Sequence, residues 1–83
     1  MTDLAVVLSR LFVQAGAYAQ YINANRARAF LSSLGPVKLT SVMVEGRDLY
    51  RVRIGPLSTV AEADGFLEAV VNAGYSDARI IVE

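Results

Sequence analysis

The sequence contains no Cys, no His and no Trp, and its 83 residues carry no formal net charge. The missing Cys and His exclude Cys nucleophiles, His general bases, iron–sulfur ligation and zinc sites built from these residues. Eight Lys and Arg residues balance eight Asp and Glu residues, whereas nucleic-acid-binding proteins usually have a basic excess. We therefore expect no metal, no cofactor and no nucleic-acid partner.

Long hydrophobic runs are also missing. No apolar stretch approaches the roughly 20 residues that a membrane-spanning helix needs. The stretch Leu4–Leu8 is too short for the core of a signal peptide, and no basic segment precedes it. We expect no membrane insertion by this chain. If the parent protein is exported, its signal is not in these residues, and residues 1–9 are expected to be a linker or a cloning remnant.

What is present suits one small folded domain, which we place at residues 10–83. Hydrophobic residues make up 54% of the chain, which is too apolar for a disordered segment. Seven of the eight basic residues are Arg, and Lys38 is the exception. Arg offers a planar fork that matches carboxylates and stacks on flat surfaces. The enrichment fits recognition of an anion or a sugar, and it fits a plain compositional bias of the genome equally well.

An internal repeat organises the chain. A shift of 39 residues places Val13–Ala17 on Val52–Pro56 and Gly35 on Gly74. The matches fall at strand ends, helix starts and helix ends, which indicates two β–α–β halves. The predicted elements are β1 (10–16), α1 (21–34), β2 (37–44), β3 (49–55), α2 (60–73) and β4 (78–82).

Local signals support these elements. Thr59 and Glu62 fit a capping box at the start of the second helix. Gly35 and Gly74 are predicted to be left-handed residues that end each helix. Residues 45–48 are predicted to form the turn between the second and third strands. Helical spacing and strand alternation predict a core made of Val13, Leu31, Leu34, Val52, Ile54, Phe66 and Val70.

Two β–α–β units with right-handed crossovers predict an α+β fold of the ferredoxin-like, or RNP-like, βαββαβ type. The four-stranded sheet has the order 4-1-3-2, and both helices cover one face. Alternation along the two central strands predicts six residues on the other, open face: Phe12, Gln14, Gly16, Leu49, Arg51 and Arg53. A four-residue turn would also place Val44 opposite Leu49 and Val42 opposite Arg51. Polar residues on a solvated sheet face are ordinary, so this pattern alone leaves the presence of a site open.

Two motifs resemble those of SPOR domains. Phe12–Tyr18 resembles the opening motif of that family, an apolar residue followed by V-Q-x-G, a small residue and an aromatic residue. Tyr50–Pro56 resembles the second family motif, R-V-x-x-G-P. The similarity extends over nearly the whole chain. The segment is also similar to the C-terminal domain of the rare lipoprotein A group. In that group a double-psi barrel, with lytic transglycosylase activity in some members, precedes the SPOR domain.

The resemblance implies a non-catalytic module that binds peptidoglycan glycan strands, alternating GlcNAc and MurNAc sugars, from which the stem peptides have been removed. It also implies targeting of the parent protein to the division septum, in the periplasm or cell envelope. The implied ligand-binding residues are Phe12, Gln14, Ala17, Leu49, Arg51 and Arg53. Many members carry Ser at the position of Ala17, and some carry Trp near Leu49, so affinity or sugar preference is expected to differ.

Three alternatives share this architecture. A ferredoxin-like regulatory or dimerisation module would use its loops or pair its sheets. An RNA-binding domain would stack bases on aromatic residues of the first and third strands, where only Phe12 is offered. A small-molecule enzyme would need an acid–base pair or an activated nucleophile, and none is evident. The fold alone does not separate these functions.

Overall fold

The computed structural model describes residues 10–83, so the expectation for residues 1–9 lies outside the described part. The elements are β1 (Leu11–Tyr18), α1 (Tyr21–Leu31), β2 (Val37–Val44), β3 (Arg47–Leu57), α2 (Val60–Asn72) and β4 (Arg79–Val82). The four strands form one antiparallel sheet in the order β2-β3-β1-β4. This is the predicted order 4-1-3-2 viewed from the opposite edge, so the predicted fold is confirmed.

Both helices pack on the same face of the sheet. One buried cluster joins them to the central strands β1 and β3, and its members are Val13, Ala15, Ala24, Ala27, Leu31, Val52, Ile54, Leu57, Ala63 and Val70. The predicted core is confirmed except at two positions. Leu34 is 37% exposed because α1 ends at Leu31, three residues earlier than predicted. Phe66 packs against the cluster but is only partly buried.

The two helices start and end by different means. The Thr59 hydroxyl accepts a hydrogen bond from the Glu62 backbone amide, which confirms Thr59 as the predicted cap. The Glu62 carboxylate accepts its bond from the amide of Ser58, whereas a capping box would use the amide of Thr59. Gly74 has a φ of 111°, as expected after α2. Gly35 does not have a positive φ, so that prediction is wrong. A Cβ atom on Gly35 would lie 2.7 Å from Cε1 of Phe66, so close packing explains this glycine.

The hairpin between β2 and β3 is tighter than predicted. Its turn consists of Glu45 and Gly46 alone, both with positive φ, as in a type I′ turn. Val42 therefore lies opposite Leu49, and Thr40 lies opposite Arg51. The predicted cross-strand pairs are wrong by two residues. Because that shift is even, every side chain stays on its predicted face of the sheet.

A β-bulge in β1 changes which residues of this strand face away from the helices. Gln14 pairs with Arg53, but the next paired residue, Gly16, lies opposite Val52. One extra residue in β1 reverses the alternation from that point on. Gly16 is therefore not on the open face, contrary to the prediction. Ala17 is there instead, directly opposite Arg51 and exposed.

Strand β3 continues through Gly55 to Leu57, although a stop at the glycine was predicted. Gly55 has a φ of 143°, and the Gly55–Pro56 peptide bond is cis. A Cβ atom on Gly55 would lie 2.9 Å from both the Leu11 carbonyl oxygen and Cδ1 of Phe12. Only glycine allows β1 and the Phe12 ring to approach β3 this closely.

Candidate functional site: the open face of the sheet

The open face is the side of the sheet that carries no helix. Strand register assigns it the following residues: Arg10, Phe12, Gln14 and Ala17 along β1; Arg47, Leu49, Arg51 and Arg53 on β3; Lys38, Thr40, Val42 and Val44 on β2; and Arg79, Ile81 and Glu83 along β4. Arg10 and Glu83 extend the β1–β4 ladder by one pair, joined by two backbone hydrogen bonds of 2.8 Å.

Positive charge is concentrated on this face. It carries six of the chain's eight basic residues, while Arg26 and Arg28 lie on α1. Within residues 10–83, Glu83 is the one acidic residue that the register places there. The neutral total therefore conceals a strongly basic surface, which favours an anionic ligand.

Arg53 is the centre of a row of three hydrogen-bonded side chains, in which Gln14 and Arg53 are buried and Glu83 is exposed. Its Nε donates a hydrogen bond of 3.0 Å to Oε1 of Gln14, which lies directly opposite on β1. Its Nη1 donates to Oε2 of Glu83 at 2.6 Å, and the two side chains form an ion pair. Such charge-assisted bonds are the stronger class of hydrogen bond. These two hydrogen bonds fix the guanidinium of Arg53 in one position.

Phe12 lies beneath this row of side chains and is not available to a ligand. The Arg53 guanidinium carbon lies 5.6 Å from the centre of the Phe12 ring, within cation–π distance. Phe12 is only 6% exposed, and Gln14 and Arg53 are each 8% exposed. The expectation that these three side chains are open to solvent is wrong. Alternation placed them on the correct face, but they cover one another across the strands.

Arg51 has no counterpart of the hydrogen bond that the Nε of Arg53 donates to Gln14. It is half-buried, and its Nε is buried without a hydrogen-bond partner. Within residues 10–83 it forms no ion pair. The exposed methyl group of Ala17 lies opposite on β1 and Thr40 lies opposite on β2. Leu49, two residues away on β3, is half-buried beside Val42. Of the predicted site residues, Ala17, Leu49 and Arg51 are therefore the ones that a ligand can reach.

Glu83 was not among the predicted site residues. The hydrogen bond from Arg53 lowers the pKa of its carboxyl below the ordinary value. Burial opposes this shift, and the charges of Arg53, Arg51 and Arg10 add to it. One signal was available in the sequence. Continued alternation from Arg79 through Ile81 puts Glu83 on the open face. The identity of its partner depends on the pairing of β4 with β1, which the repeat alone does not give.

A hollow of about 380 Å³ lies at the hairpin end of the open face. Its walls are Ala19, Val44, Leu49, Arg47, Glu45 and Asp48. Leu49 thus connects Arg51 to this hollow, so the face has a continuous surface of mixed apolar and basic character along β3.

The helix side carries a separate group of tyrosines. Tyr18, Tyr50 and Tyr75 are partly buried and pack against the core cluster. Burial raises the pKa of Tyr18, and the nearby Tyr75 adds to that shift. None of these three tyrosine rings lies on the open face.

Other kinds of site find no support in the described part of the chain. No group of three or more acidic, His or Cys side chains among residues 10–83 is arranged to hold a metal ion. No helix in this range is long and apolar enough to cross a membrane.

The fold defines a small α+β domain whose sheet has one open face lined with basic residues. The family model for the SPOR domain matches residues 8–81, and the chain belongs to this family.

Two solved structures are similar over most of their length. The crystal structure of the RlpA SPOR domain from Pseudomonas aeruginosa is 29% identical, with a TM-score of 0.79, over 86% of this chain and 96% of that chain. The solution structure of the peptidoglycan binding domain of the B. subtilis cell wall lytic enzyme CwlC is 32% identical, with a TM-score of 0.66, over 89% of this chain and 90% of that chain. The comparison with curated proteins gives no match.

Proposed function

We propose that this domain binds peptidoglycan through its open face, and that it selects glycan strands without stem peptides. The observation that carries the proposal is Arg51, a half-buried cation with an unpartnered Nε at the middle of the basic sheet face that carries no helix. Membership of the SPOR family and the similarity to a domain named as peptidoglycan binding support the same conclusion.

The chemistry of the ligand explains the selectivity. A bare glycan strand has one ionisable group on each N-acetylmuramic acid, the lactyl carboxylate. When a stem peptide is attached, that carboxylate is an amide, and the peptide adds bulk above the sugar. An arginine forms a stronger hydrogen bond with a carboxylate than with a neutral amide oxygen. The open face thus distinguishes the two forms by charge and by steric access.

The residues of the open face divide into contact and supporting roles. Arg51 is the proposed partner of the lactyl carboxylate. Leu49 offers apolar area to the face of a sugar ring, and the small side chain of Ala17 leaves room for the strand to lie close to β1. Gln14 is a positioning residue, and so is Arg53 as long as its Nη1 is bound to Glu83, since both side chains have little exposed surface. Phe12 supports Arg53 from below.

The proposed role in the cell is recruitment. Binding of bare strands would bring the parent protein to sites in the cell envelope where stem peptides are being removed, above all the division septum. The domain itself would carry no catalytic step, and any enzymatic activity would belong to other parts of the parent protein.

The deciding experiment is a pulldown with purified sacculi, either untreated or treated with an amidase that removes stem peptides. We expect the domain to be retained by amidase-treated sacculi and to be mostly unbound with untreated ones. Arg51→Ala should lose about tenfold or more in affinity, equivalent to a charge-assisted hydrogen bond of roughly 1.5–3 kcal/mol. Arg51→Lys should recover part of the loss, because Lys keeps the charge but lacks the planar fork.

The matched control is Arg26→Ala, which removes the same charge from an exposed position on α1. It should bind like the parent protein. Equal retention by both kinds of sacculi would reject selection of bare strands. Parent-like binding by folded Arg51→Ala would reject the open face as the binding surface.

RNA binding is the second candidate, because the concentration of six cations on one face favours it. RNA-binding sheets of this architecture also stack bases on exposed aromatic rings. Here the aromatic side chain that strands β1 and β3 place on the open face is Phe12, which is buried under Arg53. We therefore favour the glycan. A labelled single-stranded oligonucleotide, tested at the same salt concentration, should bind more weakly than amidase-treated sacculi.

A further inference from the structure

The side chain of Glu83 already places a carboxylate on the open face, where it is bound to Arg53. Its Oε2 lies 2.6 Å from Nη1 of Arg53, which is the geometry of a charge-assisted ion pair. The two partners differ in accessibility, because the Arg53 side chain is 9% exposed and the Glu83 side chain is 48% exposed. One side of the pair is fixed inside the sheet, and the other reaches it from the solvent side.

Glu83 is also the partner that can leave. The hydrogen bond from Arg53 to Gln14 and the contact of Arg53 with the Phe12 ring do not involve Glu83. Glu83 lies just beyond the end of β4, and within residues 10–83 its carboxylate has no other hydrogen bond or ion pair. A change of its side-chain rotamer would expose Nη1 of Arg53 without disturbing the sheet.

More positive charge surrounds this position than Glu83 can neutralise. Arg10 lies directly opposite Glu83 in the ladder, and Arg51 lies two residues from Arg53 on the same face of β3. The pKa of the Glu83 carboxyl is lowered by the hydrogen bond from Arg53 and by the charges of these arginines. Three guanidinium groups thus act on a single carboxylate.

We propose that Arg10, Arg51 and Arg53 form a carboxylate-binding site in which Glu83 is an internal competitor. A lactyl carboxylate of the glycan occupies the site by displacing the Glu83 side chain. The inference rests on the proposed function, and it adds a second contact to the one assigned to Arg51. It also makes Glu83 a specificity-determining residue, because a neutral ligand cannot replace the charge that Arg53 loses when Glu83 leaves.

The first test measures binding to amidase-treated sacculi for Glu83→Gln and for Glu68→Gln. The two variants change the net charge equally, but Glu68 lies exposed on α2, on the opposite side of the sheet. We expect Glu83→Gln to bind about two- to fivefold more tightly than the parent, the effect of removing a partly exposed ion pair. Glu68→Gln should be unchanged. Equal affinities for the two variants would overturn the proposal.

The second test observes the displacement directly. The side-chain carboxyl ¹³C signal of Glu83 is followed by NMR while N-acetylmuramic acid or neutral N-acetylglucosamine is added to the parent protein. We expect the acid to shift this signal and the neutral sugar to leave it in place. No response to the acid, at concentrations that shift the amide signals of β3, would reject the exchange. If the parent fails to bind treated sacculi but the acid shifts Glu83, the proposed function fails and the carboxylate site stands.

Discussion

Arg51 and Arg53 are two residues apart on one strand, and their energetic roles are opposite. Arg53 has three partners: the Gln14 amide oxygen, the Glu83 carboxylate and the Phe12 ring. Arg51 has a buried Nε with no partner. A buried donor without a partner costs free energy, whereas a bonded one contributes to stability. The proposed ligand contact of Arg51 would supply the partner that its Nε lacks in the free domain.

This contrast gives a prediction for two matched variants. Arg53→Met should lower the free energy of unfolding by about 1–3 kcal/mol, because it leaves the buried Gln14 oxygen without its donor. Arg51→Met should leave stability unchanged or raise it, since it removes an unsatisfied buried group and keeps apolar area. Urea denaturation followed by circular dichroism measures both values. Equal losses in the two variants would mean that Arg51 has a structural partner.

At the scale of the elements, burial on α1 is determined by where the helix ends. The apolar stripe Ala24, Ala27 and Leu31 faces the sheet and is buried. Leu34 continues the same spacing in the sequence, but it follows the end of the helix and is 37% exposed. Two leucines with the same periodicity therefore have different environments.

We expect Leu31→Ala to cost roughly 2–5 kcal/mol, the range for truncating a fully buried leucine. Leu34→Ala should cost less than about 1 kcal/mol, because a large part of its surface is already in water. Thermal or urea unfolding of both proteins checks the difference. Similar costs would show that α1 extends to Leu34 in solution, as the spacing alone suggests.

Sequence patterns predicted the order of the elements and their faces better than their ends. Spacing and alternation depend on many residues, so a single irregularity does not remove them. The end of β1 depended on one bulge, which moved Gly16 off the open face and put Ala17 there. The register of the hairpin depended on whether Arg47 belongs to the turn or to β3. Such local backbone choices are decided by packing and turn geometry, which carry a weak sequence signal.

At the scale of the whole molecule, the repeat is visible as an approximate two-fold axis. Gln14 and Arg53 are equivalent under the shift of 39 residues, and they also lie directly opposite each other in the β1–β3 pairing. The axis therefore passes between them. Because the two halves carry different residues at this point, an amide oxygen meets a guanidinium donor. The repeat thus predicted that β1 and β3 are the central strands. It did not predict that Gln14 and Arg53 are buried together, because this depends on individual side chains, including Glu83 after β4.

The distribution of charge has the same origin. Each half contributes alternating residues to the open face, so the arginines of β3 and the basic residues of its neighbours collect on one side of the sheet. The acidic residues Glu62, Asp64 and Glu68 lie on α2, on the other side. The net charge of zero is the sum over all residues, and it does not show that basic and acidic residues lie on opposite sides of the sheet. The electrostatic behaviour of the domain toward a ligand depends on the open face.

This separation predicts how binding responds to salt. Affinity for amidase-treated sacculi should fall as the ionic strength rises from about 0.05 M toward 0.5 M, because exposed charges are screened over a Debye length of about 10 Å at 0.1 M and less at higher salt. The decrease should be gradual, since the half-buried Arg51 is screened less than Arg47 or Lys38 at the exposed edge.

Arg51→Ala should show weaker binding and a shallower salt dependence than the parent, because one ion contact is missing. Arg26→Ala on α1 should have the parent's slope, since it removes a charge from the other side of the sheet. Fluorescence anisotropy with a solubilised, labelled bare glycan at several salt concentrations gives the slopes. If the parent and Arg51→Ala have the same slope, the carboxylate is not the partner of Arg51, and other residues of the open face must account for the binding.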